Sequence, residues 1–134
     1  KILDVGSGAG FPGLVLAIMG GVHVDLVESD HRKAVFLSTV IRTLDLPAKV
    51  YNQRIESMPN LSSDVVTVRA LAPVPKLLKL IENQISPDTM CLFLKGLLVE
   101  DELTNLQSCP TMVYTTHPSL SSPNGIIIEL RCKG

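Results

Sequence analysis

The residues best equipped for chemistry stand near the start of the chain. Asp4 ends an apolar run, glycines follow at 6, 8 and 10, and a second acid, Glu28, closes the next apolar run, Val22–Val27. This order predicts strand, glycine loop, helix, strand, acid, which is the front half of a nucleotide-cofactor site. Glycines let the backbone bend tightly and approach a ligand closely. The helix after them offers free N–H groups to an anionic group. An acid at the tip of the second strand can accept hydrogen bonds from two ribose hydroxyls.

Gly8, Gly10 and Gly13 also fit G-x-G-x-x-G, the dinucleotide fingerprint. Two features favour S-adenosyl-L-methionine instead. Asp4 lies just before the glycines, where a carboxylate can help bind the ammonium of S-adenosylmethionine, directly or through water. A pyrophosphate in that place would be repelled by it. Pro12 also removes one N–H that could have held phosphate. A strand–turn–helix without any ligand is the plain alternative, and the agreement of the glycines with Asp4 and Glu28 weighs against it.

Ligands of open α/β sheets sit outside the carboxyl ends of the strands. Arg54 ends the third predicted strand, Arg69 the fourth and Lys95, followed by Gly96, the fifth. Three cations at one rim, in a chain of formal net charge −1, point to an anionic substrate, and RNA phosphate fits. For any one of them, local pairing with Glu56, Asp64 or Glu100 is the competing reading. After the fourth strand the segment Arg69-Ala70-Leu71-Ala72-Pro73 lacks the carboxamide or acid that amine-directed methyltransferases carry there. Cys91, inside the fifth strand, reads as a core residue and not as a nucleophile. His23, His31 and His117 form no triad or metal spacing and read as surface or strand-end residues, so no metal is expected. A methyl acceptor that needs no base is therefore attractive, and guanine N7 has a lone pair and no proton. The protein would then align an in-line displacement and stabilise its charge.

These residues need a scaffold. Strands read at about 1–5, 22–28, 49–54, 64–69, 89–95, 111–116 and 125–132. Asp64–Arg69 is β-branched and continuous, as a buried parallel strand should be. Leu14–Met19 is apolar all round and predicts a short buried helix. Leu37, Val40, Ile41 and Leu44 line one face of a helix from about Asp30 to Asp45. Val74, Leu77, Leu78, Ile81 and Ile85 do the same on a helix opened by Pro73 and Pro75. A shorter helix covers Glu100–Gln107. The link Pro118–Gly125 is rich in Ser, Pro, Asn and Gly, so the last two strands form an antiparallel hairpin. Five βα steps and a hairpin are the layout of a class I S-adenosylmethionine-dependent methyltransferase: α/β, Rossmann-like, with a mostly parallel seven-stranded sheet.

Composition agrees. A chain of 134 residues makes one domain with a proper core. Its 46% hydrophobic and 19% charged residues suit buried parallel strands. Three widely spaced cysteines without C-x-x-C argue against disulfides or zinc and for a reducing, cytoplasmic setting. Leu14–Met19 is too short to span a bilayer, and no signal peptide is visible, so no membrane association is expected.

Leu3-Asp4-Val5-Gly6-Ser7-Gly8-Ala9-Gly10-Phe11-Pro12-Gly13 resembles the cofactor loop of the bacterial small-subunit (16S) rRNA guanine-N7 methyltransferases, the glucose-inhibited division protein B family. Val27-Glu28-Ser29-Asp30-His31-Arg32-Lys33 with Phe36-Leu37, then Arg54-Ile55-Glu56, Arg69-Ala70-Leu71-Ala72-Pro73 and Leu94-Lys95-Gly96, resemble its later blocks. The likeness spans about residues 2–107. It implies that Gly6, Gly8 and Glu28 hold S-adenosylmethionine, with Ser7, Phe11, Ser29 and Arg69 beside it and Ile55 and Glu56 near the adenine. It also implies that Arg32 or Lys33, Arg54, Arg69 and Lys95 serve 16S rRNA, or the small ribosomal subunit, and the target guanine. The family commonly has serine at position 68, where this chain has Val68; glycines where it has Ser86-Pro87-Asp88; and a basic residue where it has Asn124-Gly125. The expectation is a single methyltransferase domain over residues 1–134, monomeric, lacking the family's helical N-terminal segment. Rival readings are a small-molecule methyltransferase, a nicotinamide-dependent oxidoreductase and a binding module without activity.

Overall fold

The computed structural model describes residues 1–69, 72–96, 100–107 and 110–134, with the backbone alone at 100, 101 and 103. Among the described residues seven strands form one sheet: β1 (Ile2–Val5), β2 (Val24–Val27), β3 (Ala48–Tyr51), β4 (Val65–Arg69), β5 (Met90–Lys95), β6 (Met112–Pro118) and β7 (Ile126–Cys132). The α-helices described between them are α1 (Gly13–Met19), α2 (His31–Leu44), α3 (Val74–Leu80) and α4 (Glu100–Gln107). The strand order is β3-β2-β1-β4-β5-β7-β6. β1 to β5 pair in parallel, and β7 runs antiparallel to both β5 and β6. The order of the chain reverses between β1 and β4, which is where ligands of such sheets bind.

The β-branched run Val65-Val66-Thr67-Val68 explains the central strand, since such side chains pack well on a pleated surface buried on both faces. Leu3 and Val5 enter one core with Val66, Phe93, Ile128 and the α3 residues Val74 and Leu77. Ile2 packs against the other, built from Leu14, Ala17, Val24, Leu26 and Leu37 under α1 and α2. Alternation along β1 sets the two cores on opposite faces of the sheet. Asp30 caps α2 by accepting from the Lys33 amide at 3.1 Å, and Asp45 closes it in the left-handed conformation.

Some expectations need correction. α1 is not buried all round: Leu14 and Ala17 face the sheet, whereas Ile18 and Met19 are 55% and 77% exposed. A short helix laid on a sheet is covered on one side only. β3 ends at Tyr51, so Arg54 does not end a strand but precedes a one-turn 3-10 helix, Ile55–Ser57. The chain leaves the ladder at Asn52, whose Nδ2 donates to the Glu28 and Ser29 carbonyls at 2.9 and 3.1 Å. α3 stops at Leu80, and Ile85 follows a second 3-10 turn, Glu82–Gln84. Leu44 is exposed at the end of α2.

Cys91 is fully buried in β5, as its sequence context predicts, and burial pushes its thiol up to about 12. At pH 8 only about one part in ten thousand is thiolate. Iodoacetamide should therefore leave Cys91 unmodified in the native protein and modify it in urea. Peptide mass spectrometry checks this, and native labelling would contradict it. Cys109 lies outside the described residues. Among the described residues no helix is long and apolar enough to cross a membrane.

Candidate active site

The glycine loop extends the pairing of β1 past its last residue, because the Gly6 amide donates to the Val27 carbonyl at 2.8 Å. Gly6 has φ +69, and no atom lies within 4 Å of where a Cβ would stand. The backbone there faces open space that a ligand could occupy. Ser7 is buried, with its hydroxyl turned inward to the Asp4 carbonyl at 3.2 Å. The Asp4 carboxylate also turns inward. Its Oδ2 accepts from the Gly13 amide at 3.0 Å and its Oδ1 from the Thr67 hydroxyl at 2.7 Å. Asp4 thus ties the first residue of α1 to β1 and β4, and any help to a cofactor runs through the loop it braces.

Burial pushes the Asp4 carboxyl above its ordinary 3.8, while the Thr67 and Gly13 hydrogen bonds and the Arg69 charge pull the other way. The folded chain therefore holds this proton more tightly than the unfolded chain. Stability falls as pH rises from the unfolded value through the higher folded one, and above that window the cost of the buried charge is complete. The Asp4→Asn variant has no such titration, because a carboxamide carries no acidic proton. Urea midpoints from pH 4 to 7 should show the wild type losing stability relative to Asp4→Asn as pH rises; a constant difference would contradict this.

Glu28 closes the other side of the loop. It is 7% exposed, its Oε1 accepts from the Gly8 amide at 2.8 Å and its Oε2 from the Asp30 amide at 2.9 Å. A carboxylate has about four acceptor positions, so both oxygens can still accept from a diol. Beside this rim lies a cavity of about 150 Å³ lined by Val5, Gly6, Val27, Ser29, Gln53, Arg54, Ile55, Glu56 and Leu80. Ile55, Glu56 and Ser29 are expected from the sequence as cofactor residues, and Arg54 as a substrate cation. Gln53 and Leu80 are not; Leu80 arrives from α3, and no local pattern betrays it.

A larger cavity of about 550 Å³ opens at the ends of β4 and β5. Arg69, Leu94, Lys95 and Gly96 line one side, and the β6–β7 hairpin the other through Pro118–Ser122 and Gly125–Ile127. Arg69 is exposed, with its guanidinium 5.7 Å from the centre of the Phe11 ring. The hairpin wall is not foreseen as part of the site, although its Ser, Pro and Gly content marks a loop. Lys95 corrects the picture of three free cations. It is only 4% exposed, and its Nζ donates to the Ala72 carbonyl at 2.8 Å and to Glu102 Oε1 at 2.9 Å. Its partner is Glu102; the Glu100 side chain, Ala70 and Leu71 lie outside what is described. Arg32 and Lys33 are exposed on the first turn of α2. His23 meets Asp25 and His117 meets Glu129 at the surface, and His31 Nδ1 lies 3.2 Å from Asn52 Oδ1.

The model of the family described as rRNA small subunit methyltransferase G matches residues 1–125. The chain belongs to this family. A ribosomal RNA small subunit methyltransferase G of Paramagnetospirillum magneticum is 48% identical over 131 residues, covering 98% of this chain and 64% of the relative. Its counterpart in Rhodospirillum centenum is 46% identical over 129 residues, covering 96% and 60%. The chain thus spans less than two thirds of the length of these methyltransferase G relatives. The crystal structure of a ribosomal protein L11 methylase from Lactobacillus delbrueckii superposes with a TM-score of 0.79 at 12% identity, over 99% of this chain and 69% of the other. At that identity the likeness speaks for the fold, the Rossmann-like methyltransferase architecture.

Proposed function

We propose that this chain transfers a methyl group from S-adenosylmethionine to guanine N7 in 16S rRNA, acting on the rRNA or the small ribosomal subunit in the cytoplasm. Membership of the methyltransferase G family supports the reaction class. The observation that carries the N7 reading is the chemistry of the larger cavity. Among its described residues it has one exposed cation, serine hydroxyls and apolar walls, but no carboxylate or imidazole. A lining of this kind offers the acceptor no carboxylate or imidazole base among the described residues. It suits a base nitrogen that already offers a lone pair.

The smaller cavity, about 150 Å³, has room for the adenine end of the cofactor, with Glu28 on the rim beside it. Glu28 would hold the ribose hydroxyls, the open backbone at Gly6 would admit the ligand closely, and Ile55, Gln53 and Leu80 would flank the adenine. S-adenosylmethionine supplies a methyl group on a sulfonium, open to in-line displacement by a lone pair. Asp4 keeps the glycine loop in place through Gly13 and Thr67. Arg69 donates to an RNA phosphate or to guanine O6. Arg54, Arg32 and Lys33 extend the positive rim, where each phosphate contact adds salt-sensitive affinity.

The test is tritiated methyl transfer to small subunits, beside calorimetric titration of the cofactor. Arg69→Ala should lower transfer about tenfold or more while cofactor affinity stays within a few fold, as loss of a charge-assisted contact of roughly 1.5–3 kcal/mol requires. If Arg69 touches phosphate, the salt slope of RNA binding should fall by about one. Full transfer by Arg69→Ala would remove this residue from the site and favour a small-molecule acceptor.

A further inference from the structure

We propose that Lys95 and Glu102 are a positioning pair that holds Ala72 at the entry to α3, and that Lys95 does not itself touch the substrate. This rests on the acceptor reading above, since it concerns how the Arg69 side of that cavity is held. Lys95 ends β5, but its side chain turns into the protein and is 2% exposed. Its ammonium reaches two other elements. It donates to the carbonyl of Ala72, which lies between Arg69 at the end of β4 and Pro73 at the start of α3. It also pairs with Glu102 on α4, itself only 13% exposed. One ammonium thus joins β5, α4 and the entry to α3.

The chemistry indicates what the pair is for. A buried ammonium needs a counter-charge, which Glu102 supplies. A buried ion pair, however, is often no more stabilising than a well-packed apolar pair. This one is also incompletely satisfied, because Glu102 Oε2 has no hydrogen-bond partner among the described residues. What the charges provide that an apolar pair cannot is the grip on the Ala72 carbonyl. Ala72 is three residues along the chain from Arg69, so the grip anchors the backbone close in sequence to the exposed guanidinium. Small misplacements at a reacting centre cost rate steeply.

Two variants separate this from direct contact. Glu102→Gln keeps the shape and weakens the hold on Lys95. The double variant Lys95→Met with Glu102→Leu replaces the pair by an apolar one and should fold. Both should lose roughly 10–100-fold in kcat for methyl transfer. KM for small subunits and cofactor affinity should change little. Hydrogen exchange should quicken across Ala72–Leu80. A lysine that acted on the substrate would give the opposite pattern: Glu102→Gln would free it and keep or raise activity. That result, or unchanged exchange in both variants, overturns the proposal. If the wild type transfers no methyl to small subunits, the acceptor reading fails, and exchange across Ala72–Leu80 still decides whether the pair holds the entry to α3.

Discussion

Replacing Glu28 with alanine should weaken binding of S-adenosylmethionine by about 1–3 kcal/mol, the range for a lost charge-assisted contact to hydroxyls. Two losses combine. The ribose diol loses its acceptor, and the Gly8 and Asp30 amides lose theirs, so the glycine loop and the start of α2 are no longer pinned to each other. Glu28→Gln separates these losses, because one amide oxygen can still accept while the nitrogen faces a donor. The glutamine variant should therefore fall between wild type and alanine. NAD should not bind to any of the three. Calorimetry with both cofactors reads all of this, and unchanged affinity in Glu28→Ala, or binding of NAD, would contradict the cofactor assignment.

Gly13→Ala should destabilise the fold by about 1–3 kcal/mol, the usual cost of forcing an extra methyl into a packed interior. Helix propensity argues the other way, since alanine gains roughly 1 kcal/mol over glycine inside a helix. Space decides the sign. A Cβ on Gly13 would stand 2.5 Å from Asp4 Oδ2 and 2.8 Å from Leu26 Cδ2. Neither neighbour can yield cheaply: Asp4 is held by Thr67, and Leu26 is fully buried in β2. Displacing Asp4 would also break its bond from the Gly13 amide. Urea unfolding measures the difference, and a variant as stable as the wild type would show that this corner is looser than its geometry.

These cases show where sequence reasoning reaches its limit. The strands, the start of α2 near Asp30 and the acid at the tip of β2 depend on neighbours along the chain, and local patterns carry them. The direction of the Asp4 side chain depends on Thr67, 63 positions away, which no local pattern encodes. Lys95 reads as a rim cation because it ends a strand. Its burial depends on α4 bringing Glu102 against it. α1 reads as buried because its composition is apolar, and composition does not say how many sides a sheet can cover. The hairpin reads correctly as a hairpin, but only the pairing of β7 with β5 brings its loop to the mouth of the larger cavity. Local structure is legible; the partners of charged side chains across the sheet are not.

The central claim is the acceptor atom, and mass mapping of 16S rRNA from cells with and without the gene for this chain tests it most directly. One guanine should carry an added methyl in the first and lack it in the second, with the N7 position shown by chain cleavage at that nucleotide after reduction and aniline treatment. Purified protein with S-adenosylmethionine should restore the methyl on small subunits from the deleted cells. Identical guanine methylation in both, or a methyl found on an exocyclic amine or a ring carbon, would contradict it.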